Sequence, residues 1–314
     1  MKKIILLPIL CLFSIVSFAQ ASGGQIRRSS DKSQRNNKAT IIAKTYPQRD
    51  EVFTESLSLP VKGSFNISNL NNVNFKLMPA PDFTGHVLKR NLNRKQISLK
   101  QISCKKGEDY YQWLQSNGLQ SKKEQVSSAI NMLDLRYRIK TGGYHALLLG
   151  DTYGDIRKVI VTDENEKNYY AAYDFENFRS APKRDKSDKF SNDQEIIDIV
   201  IEGNIMYVAH SGHTYSVCYG NQNGYISAIN MLTDEIIWTS QPKINNCSEF
   251  VIVGNSIITG YGFTDEPDFL FVLDKYSGQR ILKIPLKKGP GIIMVKNNCA
   301  YVQTYNLDYV FAIQ

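Results

Sequence analysis

Three stretches in the C-terminal third carry the same marks at a near-constant spacing, and this repeat limits the fold more than any other feature. They are "GYISAINMLTDEIIW" (224–238), "DFLFVLDKYSGQRILK" (268–283) and "DYVFAIQ" (308–314). Each is an alternating β segment ending on an aliphatic residue and then Asn230, Asp274 or Gln314, which stand 44 and 40 residues apart. In the first two, a turn at Thr233-Asp234 or Ser277-Gly278 leads into another β run. Asp and Asn bond their own backbone in turns, and Gly takes positive φ without strain. Upstream, Gly203-Asn204, Gly254-Asn255 and Asn297-Asn298 each lie between two apolar runs, the mark of a tight hairpin. One unit is therefore strand, tight turn, strand, loop, strand, turn, strand in about 42 residues, the size of a propeller blade.

A fourth unit precedes these. "YHALLLGD", "RKVIVTDE" and "NYYAAYDF" read as three strands, with Asp174 at the repeat mark, 56 residues before Asn230. The excess length sits in the charged insertion "RSAPKRDKSDKFSNDQ". The expected fold is all-β: a propeller of four-stranded antiparallel blades over 51–314, with clear repeats at 142–314, four blades legible there and five to seven in total. Gln314 falls on the third strand of a blade, so the N-terminal part is expected to supply the missing outer strand and cover the edge. The candidate is "VFTESLSLPV" (52–61). How 51–141 joins the propeller stays open. "SAINML" occurs at 128–133 and again at 227–232. Yet "SKKEQVSSAINML" also reads as a helix, with Ser121 and Glu124 as a capping box. "EDYYQWLQ" is helix-compatible too, so a helical insertion is expected near 108–134.

The pattern Gly-x-Ile-x-Ala-Ile-Asn-x-x-Thr-Asp-x-x-x-Trp at 224–238 resembles the PQQ-like repeat of the quinoprotein alcohol dehydrogenase-like β-propellers. That repeat usually has Gly where this chain has Asp234, and the next unit restores it as Gly278. The resemblance implies a propeller fold and assigns Trp238 to docking between blades. In the enzymes of that family it implies an axial quinone stacked on a Trp near adjacent cysteines, with calcium and an Asp base. Here no two cysteines are adjacent, and Trp113 and Trp238 are the only tryptophans. The chain is read as a non-catalytic member without a cofactor. The propeller lipoprotein of the outer-membrane assembly machine resembles the same repeat and binds proteins.

The first residues, "MKKIILLPILCLFSIVSFAQ", read as a bacterial signal peptide over 1–19, with cleavage predicted after Ala19. No later segment is long enough to span a membrane. The chain is expected to be exported, periplasmic or extracellular, and monomeric. Removing Lys2 and Lys3 takes the formal charge from +8 to +6. A basic polar linker at 20–50 holds much of that excess, and nothing resembles a nucleic-acid motif. The mature chain keeps Cys104, Cys218, Cys247 and Cys299, read as buried free thiols or one disulfide.

"AHSGHTYSVC" is the only histidine cluster. Two imidazoles and a thiol suit zinc or copper, but positions i and i+3 of a strand point to opposite faces, so a polar loop is the simpler reading. It is the first choice for a binding loop, because long loops on rigid scaffolds carry function. Its candidate residues are His210, His213, Tyr215, Tyr219, Asn221, Gln222 and Asn223. "TDEPD" (264–268) gathers three acids without EF-hand spacing. The expected function is a binding scaffold for an envelope or cell-surface protein, a peptide or a glycan. The alternative is a secreted polysaccharide hydrolase or lyase with acids converging at the propeller axis.

Overall fold

The computed structural model describes residues 53, 58–130, 133–151, 155–179 and 193–314. The expected signal peptide at 1–19, the expected linker at 20–50, half of 52–61 and nearly all of the charged insertion lie outside the described residues. In chain order the elements are β1 (Gly63–Ser64), β2 (Lys76–Leu77), β3 (Leu99–Lys106), α1 (Tyr110–Asn117), β4 (Lys123–Ile130), β5 (Leu133–Thr141), β6 (Tyr144–Asp151), β7 (Ile156–Asp163) and β8 (Asn168–Asp174). There follow β9 (Glu195–Glu202), β10 (Ile205–Ser211), β11 (Tyr225–Asn230), β12 (Glu235–Thr239), β13 (Val251–Val253), β14 (Ser256–Phe263), β15 (Glu266–Asp274) and β16 (Arg280–Pro285). The last are β17 (Pro290–Lys296), β18 (Cys299–Thr304) and β19 (Leu307–Ile313).

These strands make four sheets in a propeller-like, mostly antiparallel architecture. Sheet two is β9 to β12, sheet three β13 to β16, and sheet four β17, β18, β19 and β3. Sheet one is β4 to β8, with β1 and β2 against β8. The described residues thus hold four sheets where the repeat predicts five to seven blades, because 58–122 contributes to existing sheets instead of building new ones.

The turn chemistry explains the regularity. Gly203 and Gly254 take positive φ, as do both Asn297 and Asn298, so each inner hairpin closes in two residues. The repeat marks work as turn caps. Asn230 Oδ1 accepts the Leu232 N–H at 2.9 Å, and Asp274 Oδ1 accepts the Tyr276 and Ser277 N–H groups at 3.1 and 2.9 Å. Asp234 and Gly278, four residues after their marks, both sit at positive φ, 57° and 73°. Asp is one of the few residue types that visit this conformation, and the Asp234 carboxylate accepts bonds from Tyr173 Oη (2.7 Å) and Lys62 Nζ (3.2 Å), which tie sheet one to sheet two.

The core runs between sheets. Tyr207, Trp238, Phe250, Tyr261, Phe271 and Phe311 join sheets two, three and four. Ile139, Val159, Tyr173, Ile199 and Met206 join sheets one and two. Full burial of such side chains stabilises by about 1.5–3 kcal/mol each.

Two N-terminal segments lace the sheets together. The outer one starts on sheet one, where Met78 N–H donates to the Asp174 carbonyl. It reaches sheet two, where Thr239 N–H donates to the His86 carbonyl, then sheet three, where Leu88 N–H donates to Ser277. Gln96 bonds Asp274 and Ser256, Ser98 and Gln314 exchange backbone bonds, and β3 pairs with β19. The missing outer strand therefore comes from the N-terminal part, as expected, but from Leu99–Lys106 and not from 52–61. A chain entering at sheet one reaches sheet four only after crossing the edges of sheets two and three.

The inner segment begins with α1, capped by Asp109 and ended by left-handed Gly118. The helical expectation holds for "YYQWLQSN" only. Residues 123–130 form β4, not a helix. Ser121 Oγ bonds Lys123 N–H and Glu249 Oε1 at 2.9 and 2.6 Å, and Glu124 pairs with Arg138 across the sheet, so the apparent capping box is absent. Lys296 on β17 donates to the Gly118 carbonyl at 2.7 Å. Lys122 and Lys123 then reach carbonyls beside β13 and on β9 before the chain enters sheet one.

Candidate binding pocket

Loop 211–223 leaves the end of β10 and returns at β11, and nearly every candidate residue in it has a defined partner. His210 is not a loop ligand at all. It is fully buried, with Nε2 2.9 Å from Ser227 Oγ, Nδ1 3.3 Å from Gln194 Oε1, and its ring stacked on Tyr225 at 5.3 Å. Burial pushes its pKa down to about 3. His213 points the other way, to the rim, with Nε2 3.2 Å from Asp155 Oδ1 and Nδ1 3.5 Å from Glu195 Oε2. The two imidazoles do not converge: His210 lies inside β10, and His213 lies beyond the strand's end at Ser211.

Tyr219 and Asn223 are buried and hold the loop's shape. Tyr219 Oη accepts the His213 N–H at 3.1 Å, and Asn223 Oδ1 accepts the Gly212 N–H at 2.7 Å. Asn221 takes a left-handed φ of 66°, and its Oδ1 accepts Lys243 Nζ at 3.1 Å. The Gln222 carbonyl accepts Gln194 Nε2 at 3.3 Å. Tyr215 stands 5.6 Å from Phe263, and Ser216 N–H donates to Glu266 Oε1 at 2.9 Å, so the loop bridges to sheet three. Of the candidates, His213 alone lines the pocket below; Tyr215, Tyr219, Asn221, Gln222 and Asn223 build the loop, and His210 is buried on β10.

That pocket has a volume of about 280 Å³. Lys123 and Tyr137 enter it from sheet one, Glu195 and His213 from sheet two, and Ser248 and Phe263 from sheet three and its approach. Lys123 Nζ donates to the Ile197 carbonyl at 2.6 Å and lies 4.1 Å from the Tyr137 ring centroid. Burial draws the Lys123 amine below its ordinary range and pushes the Glu195 carboxyl and the Tyr137 hydroxyl above theirs. Behind the pocket, Lys122 Nζ pairs with fully buried Asp198 at 2.7 Å, and Asp198 also accepts the Phe250 N–H at 3.0 Å. The sequence reading missed Lys123, Tyr137, Glu195, Ser248 and Phe263. Their only local signal is the Lys-Lys pair ahead of an alternating run.

The quinone chemistry implied by the resemblance does not fit these residues. Trp238 is buried between sheets with its Nε1–H donating to the Lys275 carbonyl, and Trp113 is buried on α1. The side chains of Ser121, Lys122 and Lys123 bond Glu249, the Phe250 carbonyl and the Ile197 carbonyl, at β9 and just ahead of β13. Among the acids of "TDEPD", Glu266 is engaged by Ser216 and Tyr261, and Asp268 packs against Gly262. Cys104, Cys218, Cys247 and Cys299 are free thiols, but only Cys247 is buried as expected, its pKa pushed up to about 12 by that burial; Cys299 is half-buried, and Cys104 and Cys218 are exposed. Among the described residues, no helix is long and apolar enough to cross a membrane.

No family model matches the chain. No curated protein matches it either. Among solved structures, it is similar to the computationally designed Ika4 protein at 12% identity and a TM-score of 0.36, over 56% of this chain and 88% of that one. It is also similar to BamB from Moraxella catarrhalis at 12% identity and a TM-score of 0.30, over 60% of this chain and 70% of that one. Both likenesses are distant, and the fold rests on the strand pairing described above.

Proposed function

We propose that the chain is an exported, non-enzymatic scaffold that binds an envelope or cell-surface protein, a peptide or a glycan at the pocket under loop 211–223. One observation carries this reading: polar and aromatic side chains from three sheets converge on a half-open hollow beneath a loop that is itself pinned to sheets one and three. Rigid walls lower the entropy lost when a partner docks. Export rests on the leader at 1–19.

The test is photo-crosslinking of the mature chain in its own envelope extract, with His213→Ala and Tyr215→Ala as pocket and loop variants. A partner, protein or glycan, lost from both variants supports the scaffold. Identical capture by folded variants overturns this site.

A second reading, a polysaccharide hydrolase or lyase, has one specific observation in its favour. Glu195, its pKa raised by burial, lines the same pocket as His213, and a protonated carboxyl is a general acid. Under that reading, Glu195→Gln abolishes release of reducing or unsaturated sugar ends from polysaccharides.

A further inference from the structure

We infer that the pocket between Lys123, Tyr137, Glu195, Ser248 and Phe263 takes one uncharged sugar residue of a glycan. This rests on the binding reading above and names its ligand class.

Three features of the pocket point there. Its size, about 280 Å³, lies at the low end of small-molecule sites and admits a single ring with its substituents, not a folded segment. Its wall is aromatic. Phe263 is held at 5.6 Å by both Tyr215 and Tyr261 and is half-buried. A ring of that kind presents a negative face to the C–H edges of a sugar.

The polar groups are of mixed donor and acceptor type, as hydroxyls require. Among the described residues, the Tyr137 and Ser248 hydroxyls have no hydrogen-bond partner, and Glu195 has only His213 and the Ile156 backbone. Each hydroxyl both gives and accepts.

The charges are already answered within the chain. His213 lies against Asp155, and Lys123 Nζ donates to the Ile197 carbonyl at 2.6 Å and the Ser248 carbonyl at 3.4 Å. Burial shifts Glu195, Lys123 and Tyr137 each toward its uncharged form. A uronate or an amino sugar would bring a further charge into a hollow whose own charged groups are already bonded within the chain, and it would lose hydration on entry. A neutral polyol loses only hydroxyl hydration, which these groups replace.

The experiment is calorimetric titration of the mature chain near neutral pH. The probes are oligosaccharides of glucose, galactose, mannose and N-acetylglucosamine, with uronate and amino-sugar oligomers in parallel. We expect at least one neutral series to bind about tenfold or more tighter than its charged counterparts. Tyr137→Phe is expected to weaken it about three- to tenfold, the worth of one hydrogen bond. Glu195→Ala is expected to weaken it about tenfold, while Glu195→Gln, which keeps an uncharged donor and acceptor, stays within about twofold. Melting temperatures confirm that each variant is folded.

Tighter binding of a charged series overturns the inference, as does binding untouched by Tyr137→Phe and Glu195→Ala. Absence of binding by every sugar overturns it too. The scaffold reading survives those results if crosslinking to a protein still depends on His213, and falls with them if it does not.

Discussion

The indole Nε1–H of Trp238 donates to the Lys275 carbonyl of the next sheet at 3.2 Å, and a Cβ added to Gly278 would stand 2.5 Å from Cε3 of the same ring. The docking role assigned to Trp238 from the repeat thus has two parts: a hydrogen bond across the blade boundary, and a glycine that lets the ring approach. Gly278 also sits at a φ of 73°, which L side chains avoid. Gly278→Ala is expected to destabilise by about 2–4 kcal/mol, from backbone strain plus overpacking. Urea midpoints at constant slope measure this. A loss below about 0.5 kcal/mol would show that the Trp238 contact has no packing consequence.

Acid should loosen sheet two first. His210 is buried neutral, its pKa lowered from 6.5 to about 3. Its contribution is complete above pH 6.5 and is lost as pH falls from there toward 3. Two pH units below 6.5 the loss is roughly 2–3 kcal/mol. Glu195 and Glu249, raised by burial, act in the opposite sense, since their protonation favours the fold as pH falls. Comparing the native chain with His210→Gln cancels those carboxyls. The variant is expected to be less stable at neutral pH and to lose less stability on acidification; parallel slopes would contradict a buried neutral imidazole.

Legibility followed exposure. Sheets two, three and four were readable because β10 and β11 are buried throughout and their turns carry Asn230, Asp274 and Asn297-Asn298. β3 was not. "LKQISCKK" is exposed along nearly its whole length, so no buried face marks its full extent or its partner, and its place is set by hydrogen bonds to β19. β4 was misread because Ser121 and Glu124 have helix-capping spacing, while tertiary contacts to Glu249 and Arg138 decide their conformation. The pocket was invisible for a further reason. Lys123, Tyr137, Glu195 and Phe263 converge only through sheet packing, and no sequence spacing records that.

The pair formed by Lys122 and Asp198 is predicted to be conditional. Asp198 is fully buried, and its second oxygen has no hydrogen-bond partner among the described residues. Lys122→Met would leave a buried carboxylate facing only the Phe250 N–H, at a cost of about 3–5 kcal/mol. Adding Asp198→Asn removes the uncompensated charge and should recover part of that loss. A double-mutant cycle measures the coupling, expected at about 1–3 kcal/mol. Additive losses would mean that the two side chains do not sense each other.

Closure of sheet four by β3 can be tested through its register. Ser103 lies opposite Val310 in the antiparallel pair. In a Cys104→Ser background, Ser103→Cys with Val310→Cys places two thiols at a spacing a disulfide can span. Oxidation should then form an intramolecular bond that closes a long loop and stabilises by about 2–4 kcal/mol over the reduced protein. The free-thiol count, peptide mapping under non-reducing conditions and the melting shift between oxidised and reduced forms report it. A control placing cysteines at Ser103 and Tyr301, which pairs with Val310 from the other side on β18, should form no such bond. Equal crosslinking in both variants would mean that β3 does not hold this register, and the closing strand would have to come from elsewhere in the chain.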